Sequence, residues 1–167
     1  MTKLASMSEP LLRSAMVTDV GAINELVVAA FGRYVERIGR PPAPMTADYA
    51  KLLHTSRVWV VEDGEHAGVI LGLLVTQAEP DHLLIDAIAV APTAQGRGHG
   101  RRLLERADED AHDAGLEEIR LCTNEAMTEN LSFYPSRGFH ETGRGIQDGY
   151  HRVFFAKRVG PIPTSRT

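Results

Sequence analysis

The sequence has little cysteine and no excess of positive charge. Its 167 residues include one cysteine, Cys122, so no disulfide can form within the chain. Cys122 lies in the apolar run 119–123, which favours a buried structural thiol over a catalytic one. The seven histidines show no spacing typical of a zinc site, and no metal is expected. A net charge of −4 argues against nucleic acid as the main partner, because phosphate binders usually carry a basic face.

Long hydrophobic runs are also missing. No segment approaches the ~20 apolar residues that a membrane helix needs. Residues 1–10 are polar and lack the apolar centre of a secretory signal. We therefore expect a cytoplasmic protein that does not bind membranes. The length predicts a single domain, which we assign to residues 1–158, followed by a loose tail at 159–167 that holds two prolines.

Hydrophobic spacing predicts a layered α/β domain. The predicted strands are 11–16, 58–61, 67–76, 82–90, 119–123, 139–142 and 150–157. Four helices are predicted. The first begins after an N-cap at Thr18 or Asp19 and reaches Phe31, and the others span 46–54, 98–114 and 128–137. This mixed order indicates an α+β arrangement with a mostly antiparallel sheet and about four helices. The strands before and after helix 98–114 form one crossover, so these two strands should be parallel.

Three glycines stand at alternate positions between the central strand and helix 98–114. Gly96, Gly98 and Gly100 allow a ligand to approach the backbone closely, and the start of a helix favours an anion. The positive side chains in and after this segment are Arg97, His99, Arg101 and Arg102. The spacing is neither the G-x-G-x-x-G of dinucleotide folds nor a Walker A loop. A phosphate site is therefore the leading interpretation, and a solvated loop with a basic helix start is the alternative.

Two motifs resemble the GNAT superfamily of acyl-CoA-dependent N-acyltransferases. Its first signature, Q/R-x-x-G-x-G/A after a strand that ends in valine, matches the run Val90-Ala91-Pro92 and then Gln95 to Gly100. A second block, a tyrosine followed after three residues by Gly-Phe, matches the run from Phe133 to Phe139. The resemblance covers roughly residues 11–157. It implies a three-layer fold, with a β-bulge near the end of the central strand that splays this strand from strand 119–123.

The resemblance implies acetyl-CoA as cosubstrate. Its pyrophosphate would bind backbone N–H groups of a loop made of Gln95, Gly96, Arg97, Gly98, His99, Gly100 and Arg101. Pantetheine would lie along the central strand at Ile88, Ala89 and Val90, like an added strand. Many relatives carry a cofactor-binding asparagine seven residues before the tyrosine, but here that position is Met127. Asn124 and Asn130 are the candidate replacements.

The reaction implied by the resemblance is direct attack of a neutral amine on the thioester. Tyr134 is the position for a general acid near the sulfur, although it could instead only pack a helix face. Pro135 follows it and should kink or shorten the helix. Asp86 is the one charge in the apolar strand, so it is a candidate base, a site for a cationic substrate, or a structural partner of an arginine. The oxyanion donor is expected to be the backbone N–H of Ala89 or Val90.

Acceptor selection is expected to fall to the first helices, with Phe31 and Tyr34, and to the final hairpin. Acidic residues such as Glu36 and Asp48 hint at a cationic acceptor. The leading prediction is an acetyl-CoA-dependent N-acetyltransferase that acts on a primary amine of a small molecule or protein. The alternatives are an N-acyltransferase that uses a longer acyl-CoA and a non-catalytic CoA-binding module, which Pro135 and Met127 favour. Because members of the family often dimerise, a homodimer is a further expectation.

Overall fold

Seven strands form one mixed sheet in the computed structural model, which describes residues 8–160. The strands are β1 (Leu11–Ser14), β2 (Arg57–Glu62), β3 (Ile70–Ala78), β4 (Leu83–Val90), β5 (Glu118–Asn124), β6 (His140–Gln147) and β7 (Tyr150–Arg158). They lie in the order β1-β2-β3-β4-β5-β7-β6. Neighbouring strands are antiparallel except β4 and β5, which are parallel. The predicted mixed, mostly antiparallel sheet and its single crossover are confirmed.

Helices cover the sheet on both sides. They are α1 (Val20–Phe31), α2 (Tyr34–Ile38), α3 (Ala43–Thr46), α4 (Tyr49–Thr55), α5 (His99–Asp113) and α6 (Thr128–Ser136). The four predicted helices correspond to α1, α4, α5 and α6, whereas α2 and α3 are additional short helices. Pro44 lies in the first turn of α3, where a proline costs no helical hydrogen bond. Residues 43–46 therefore form a helical turn although they include a proline.

Each face of the sheet has its own apolar cluster. One cluster joins α5 and α6 to the sheet, and in α5 it uses the regularly spaced Leu103, Leu104, Ala107 and Ala111. The other cluster joins α1, α2 and α4 to the opposite face. We call these the α5 face and the α1 face. No helix within residues 8–160 is long and apolar enough to cross a membrane.

A β-bulge divides β4 into two halves. Val75 of β3 pairs with Ala87 and Thr76 pairs with Ile85, so Asp86 is an extra residue without a partner. Because one residue is added, the alternation of side chains is inverted: Ile85 packs on the α5 face, and Ala87 on the α1 face. Pairing of β4 with β5 stops at Leu84. The expected bulge and splay are confirmed, with the bulge in the middle of the strand.

The C-terminal hairpin is longer than predicted. The segment 143–149, interpreted from its glycines as a connection, is mostly strand: β6 continues to Gln147 and the turn is Asp148-Gly149. Both turn residues have positive φ, 53° and 79°, as hairpin turns of this type require. The predicted tail also begins inside the fold, because Val159 is buried and its N–H donates to Glu117 O at 2.8 Å. The rest of that tail, residues 161–167, lies outside the described residues.

Candidate active site

A cavity of about 830 Å³ lies where β4 and β5 diverge. Its lining includes residues from both strands and from three further elements: Ile88 of β4, Cys122 of β5, Tyr134 of α6, Arg152 of β7 and Phe31 of α1. Tyr134 belongs to the α5-face cluster and Phe31 to the α1-face cluster. The cavity therefore passes through the plane of the sheet, so two molecules entering from opposite faces could meet in it.

The edge of β4 that faces this gap has backbone groups without a strand partner. Ala91 N donates to Leu71 O at 2.8 Å, which fixes the alternation of hydrogen bonds along β4. The backbone N–H and C=O of Ala89 therefore point towards β3, whereas those of Ile88 and Val90 point towards the gap. Of the two predicted oxyanion donors, the N–H of Val90 is available and that of Ala89 is used by the sheet.

The glycine loop before α5 presents unpaired backbone donors. None of the N–H groups of residues 95–101 has a hydrogen-bond partner within residues 8–160. Gly96 and Gly98 have φ of 81° and 85°, and a Cβ added to either would meet no atom within 4 Å. Open space, positive φ and the start of a 15-residue helix together form a cradle that fits a pyrophosphate.

The side chains of this loop divide into exposed and anchored ones. Gln95 and Arg97 are exposed, and Arg101 is exposed beside Glu105 at 3.5 Å. His99 is buried, and its burial, with the nearby arginines, lowers the pKa of its imidazole. His99 therefore adds no positive charge at neutral pH, contrary to the expectation from sequence. Gly100 has no positive φ; a Cβ there would lie 3.4 Å from Phe133 Cζ.

Tyr134 lies in an aromatic cluster at the cavity wall. Its ring centroid is 5.3 Å from that of Phe133 and 5.7 Å from those of Phe139 and Phe155. The hydroxyl makes no hydrogen bond with residues 8–160, and burial raises the pKa of the phenol, which stays protonated. Pro135 falls in the last turn of α6, and the helix ends at Ser136. α6 nevertheless covers nearly all of the predicted span 128–137, and Tyr134 lines the cavity.

Asp86, the bulge residue, also lines the cavity. It forms no ion pair within residues 8–160, so the interpretation as a structural partner of an arginine is not supported. Asp86 is exposed, yet desolvation by the surrounding protein raises its pKa, an effect that the charge of Arg152 partly offsets. A carboxylate with a raised pKa is a stronger proton acceptor than one on an open surface.

The two candidate asparagines both line the cavity but keep different atoms free. Asn124 Oδ1 accepts a hydrogen bond from Ala126 N at 2.9 Å, which leaves its amide NH₂ available. Asn130 Nδ2 donates to Thr123 Oγ1 at 3.0 Å, which leaves its carbonyl oxygen available. Met127 is buried beside the Thr123 hydroxyl. The pair therefore offers one donor and one acceptor to a ligand.

The structure separates the two predicted acceptor-binding residues. Phe31 lines the cavity, whereas Tyr34 does not. The Tyr34 hydroxyl accepts from Arg33 Nη2 at 2.6 Å and donates to Glu129 at 3.2 Å, which ties α2 to α6. Asp48, taken as a hint of a cationic acceptor, caps α4 through Lys51 N. Tyr34 and Asp48 are therefore scaffold residues around the cavity.

Sequence reasoning missed Arg152 and misjudged Cys122. Arg152 Nη1 donates to Cys122 Sγ at 2.9 Å, and Cys122 is half-buried in the cavity wall instead of the core. Their contact depends on β7 lying between β5 and β6, which no local pattern indicates. Within residues 8–160 no group of three or more His, Cys, Asp or Glu side chains is arranged to hold a metal ion.

Comparisons with known proteins agree with this geometry. The sequence profile described as "Acetyltransferase (GNAT) family" matches residues 22–139. A protein of Mycobacterium tuberculosis named as a probable N-acetyltransferase is 30% identical over 115 residues, which are 66% of this chain and 63% of that protein. The chain spans less than two thirds of the length of the curated relatives that it matches first.

Solved structures share the fold. The ribosomal-protein-S18-alanine N-acetyltransferase of Escherichia coli has a TM-score of 0.70 at 20% identity, with 95% of this chain and 99% of that chain covered. A GNAT family acetyltransferase of Elizabethkingia anophelis, solved with acetyl-CoA bound, has a TM-score of 0.64 at 15% identity, with 90% and 98% covered. Because the family profile matches more than half of the sequence and the sheet, bulge and glycine loop agree with it, this chain belongs to the GNAT acetyltransferase family.

Proposed function

We propose that this protein transfers the acetyl group of acetyl-CoA to a primary amine of a small molecule or protein. The observation that carries the proposal is the gap between β4 and β5. It joins an unpaired strand edge, a cavity lined by residues of both faces, Tyr134 and Asp86 in one place. The Elizabethkingia anophelis structure with acetyl-CoA supports the choice of cosubstrate.

Acetyl-CoA would be held mainly by backbone. The free N–H groups of residues 95–101 would bind the pyrophosphate, and Arg97 and Arg101 would add positive potential beside it. The backbone groups of Ile88 and the C=O of Val90 would pair with the pantetheine amides across the gap. The free atoms of Asn124 and Asn130 would serve as side-chain partners nearby.

Each proton of the reaction has a residue on the cavity wall. The amine nitrogen bonds to the carbonyl carbon and loses a proton, which Asp86 accepts directly or through water. The N–H of Val90 donates to the developing oxyanion. When the carbon–sulfur bond breaks, Tyr134 donates its phenolic proton to the leaving thiolate. The raised pKa of Tyr134 keeps this proton in place until then.

The test is release of CoA thiol from acetyl-CoA by the full chain over a panel of primary amines, amino acids and peptides. We expect turnover with part of the panel, and a much lower rate for Tyr134→Phe and Asp86→Asn. Arg144→Gln, a change in an exposed ion pair of β6 outside the cavity, is the matched control and should keep the rate. Tight CoA binding without turnover on any amine would support the CoA-binding module. Turnover that requires propionyl- or longer acyl-CoA would support the second alternative. A cytoplasmic location and a homodimer stay predictions.

A further inference from the structure

Arg152 has a guanidinium whose hydrogen-bonding groups are largely unused. Nη1 donates to the thiol of Cys122, a weak acceptor, at 2.9 Å. Nε is buried with no partner, and Nη2 makes no hydrogen bond, within residues 8–160. The ring centroid of Tyr150 lies 5.3 Å from Arg152 Cζ. Since a buried cationic donor without an acceptor is destabilising, this arginine is suited to an anionic ligand.

The neighbouring arginine on the cavity wall differs in this respect. Arg120 also lines the cavity, but its guanidinium contacts Glu118 and lies 3.4 Å from Asp81. Its charge is therefore already paired within the protein. Arg152 has no carboxylate within 4 Å among the described residues, so its positive charge is not paired in an ion pair there.

Arg152 lies away from the loop proposed to hold pyrophosphate. Val153 and Phe155 pack into the α5-face cluster, and side chains alternate along a strand, so Arg152 is on the α1 face. The glycine loop begins α5 and belongs to the other face. An anion at Arg152 would thus belong to the molecule that enters from the α1 face, which is the acceptor.

Asp86 and Arg152 line the same cavity without contacting each other. A separated carboxylate and guanidinium match a ligand that carries an amine and a carboxylate. We propose that the acceptor is an amino acid, whose carboxylate binds the terminal Nη1 and Nη2 groups of Arg152 while its amine reaches Asp86. The planar edge of a guanidinium fits a carboxylate with two parallel hydrogen bonds. This inference rests on the proposed function of the same site.

The experiment compares amino acids with the amines that lack only the carboxylate. The pairs are leucine with 3-methylbutylamine, phenylalanine with 2-phenylethylamine, and methionine with 3-(methylthio)propylamine. Because the carboxylate also lowers the basicity of the neighbouring amine, the decisive quantity is how the acid-to-amine ratio of kcat/KM changes between wild type and Arg152→Gln. We expect this ratio to fall about 10- to 100-fold, mainly through the KM of the amino acid.

Control variants make the result specific. Arg152→Lys keeps the charge but loses the paired geometry, so it should recover part of the ratio. Arg144→Gln removes an arginine of the adjacent strand that does not line the cavity, and it should leave the ratio unchanged. The dissociation constant of CoA should be the same for Arg152→Gln and wild type. A ratio unaffected by Arg152→Gln, or CoA binding weakened by it, would overturn the inference.

Binding measurements separate this inference from the proposed function. If the wild type acetylates none of the panel, the carboxylate site can still be tested by calorimetric titration of leucine and 3-methylbutylamine into the protein saturated with CoA. Binding of leucine that is tighter than that of the amine, and is lost in Arg152→Gln, would uphold the carboxylate site while the transferase proposal fails. Equal binding of the two, or binding of leucine that survives Arg152→Gln, would refute it.

Discussion

Replacing Gly98 with alanine should have a cost that is divided between folding and cofactor binding. Gly98 has φ 85° at the start of α5, and a Cβ there would meet no atom within 4 Å, so the penalty is purely conformational. Holding an alanine in this left-handed region costs about 1–2 kcal/mol. If the free loop keeps its shape, the whole cost appears as a lower free energy of unfolding. If the free loop relaxes, it appears as weaker binding of CoA, by roughly 5- to 30-fold.

Urea unfolding without ligand and calorimetric titration with CoA measure the two parts. Their sum should be about 1–2 kcal/mol whichever way it divides. Gly21→Ala is the matched control, because Gly21 lies in α1 outside the loop, lacks positive φ, and its Cβ would meet no atom within 4 Å. Alanine there should stabilise the helix by up to about 1 kcal/mol and leave CoA binding unchanged. Equal losses of CoA affinity in the two variants, or no loss of either kind in Gly98→Ala, would contradict the reasoning.

Three further substitutions test the site and its support. The side chain of Asp110 is fully buried and accepts hydrogen bonds from Trp59 Nε1 at 2.9 Å and Thr76 Oγ1 at 2.6 Å. Asp110→Ala should therefore lower the free energy of unfolding, measured in urea, by about 3–5 kcal/mol. A loss below about 1 kcal/mol would disprove this hydrogen-bond network. Tyr134→Phe should lower kcat on the order of 100-fold in the thiol-release assay. Its melting temperature should be unchanged, because the Tyr134 hydroxyl has no hydrogen-bond partner among the described residues. An unaltered rate would remove Tyr134 from the mechanism. The pKa of Asp86 is raised in the folded state, so its ionisation reduces stability as pH rises through that pKa. Asp86→Asn should therefore melt at a higher temperature than wild type at neutral pH, and the difference should vanish in acid. A lower melting temperature of Asp86→Asn at neutral pH would show that the ionised carboxylate does not destabilise the fold.

Features encoded locally were predictable from the sequence. Helix α5 has apolar residues at regular spacing, and the glycines before it indicate an anion site without any family resemblance. The buried run of β4 and the crossover to β5 followed from the same kind of pattern. The bulge at Asp86 had no such signal, because an extra residue in a strand leaves no distinct pattern in a continuous apolar run. It was expected through the family resemblance alone.

Features that depend on distant pairing were not predictable. β6 is exposed along its whole length, so it lacks the alternation that marks a strand, and its glycines suggested a loop. The insertion of β7 beside β5 brings Arg152 to Cys122, although the two are 30 positions apart in the chain. Tyr34, an acceptor-site candidate through the family resemblance, lies in the unexpected helix α2, where its hydroxyl reaches Glu129.

The bulge explains why such different groups meet in one cavity. A regular β4 would continue beside β5, and its backbone donors and acceptors would be used by the sheet ladder. One extra residue bends the strand away after Leu84, which leaves Ile88 and Val90 without a neighbour and opens the space that Tyr134 and Cys122 line. The same extra residue is Asp86, the carboxylate at that space. The binding edge, the cavity and the proposed base are thus three consequences of a single insertion in the backbone, whereas the glycine loop and Arg152 are contributed independently from opposite faces of the sheet.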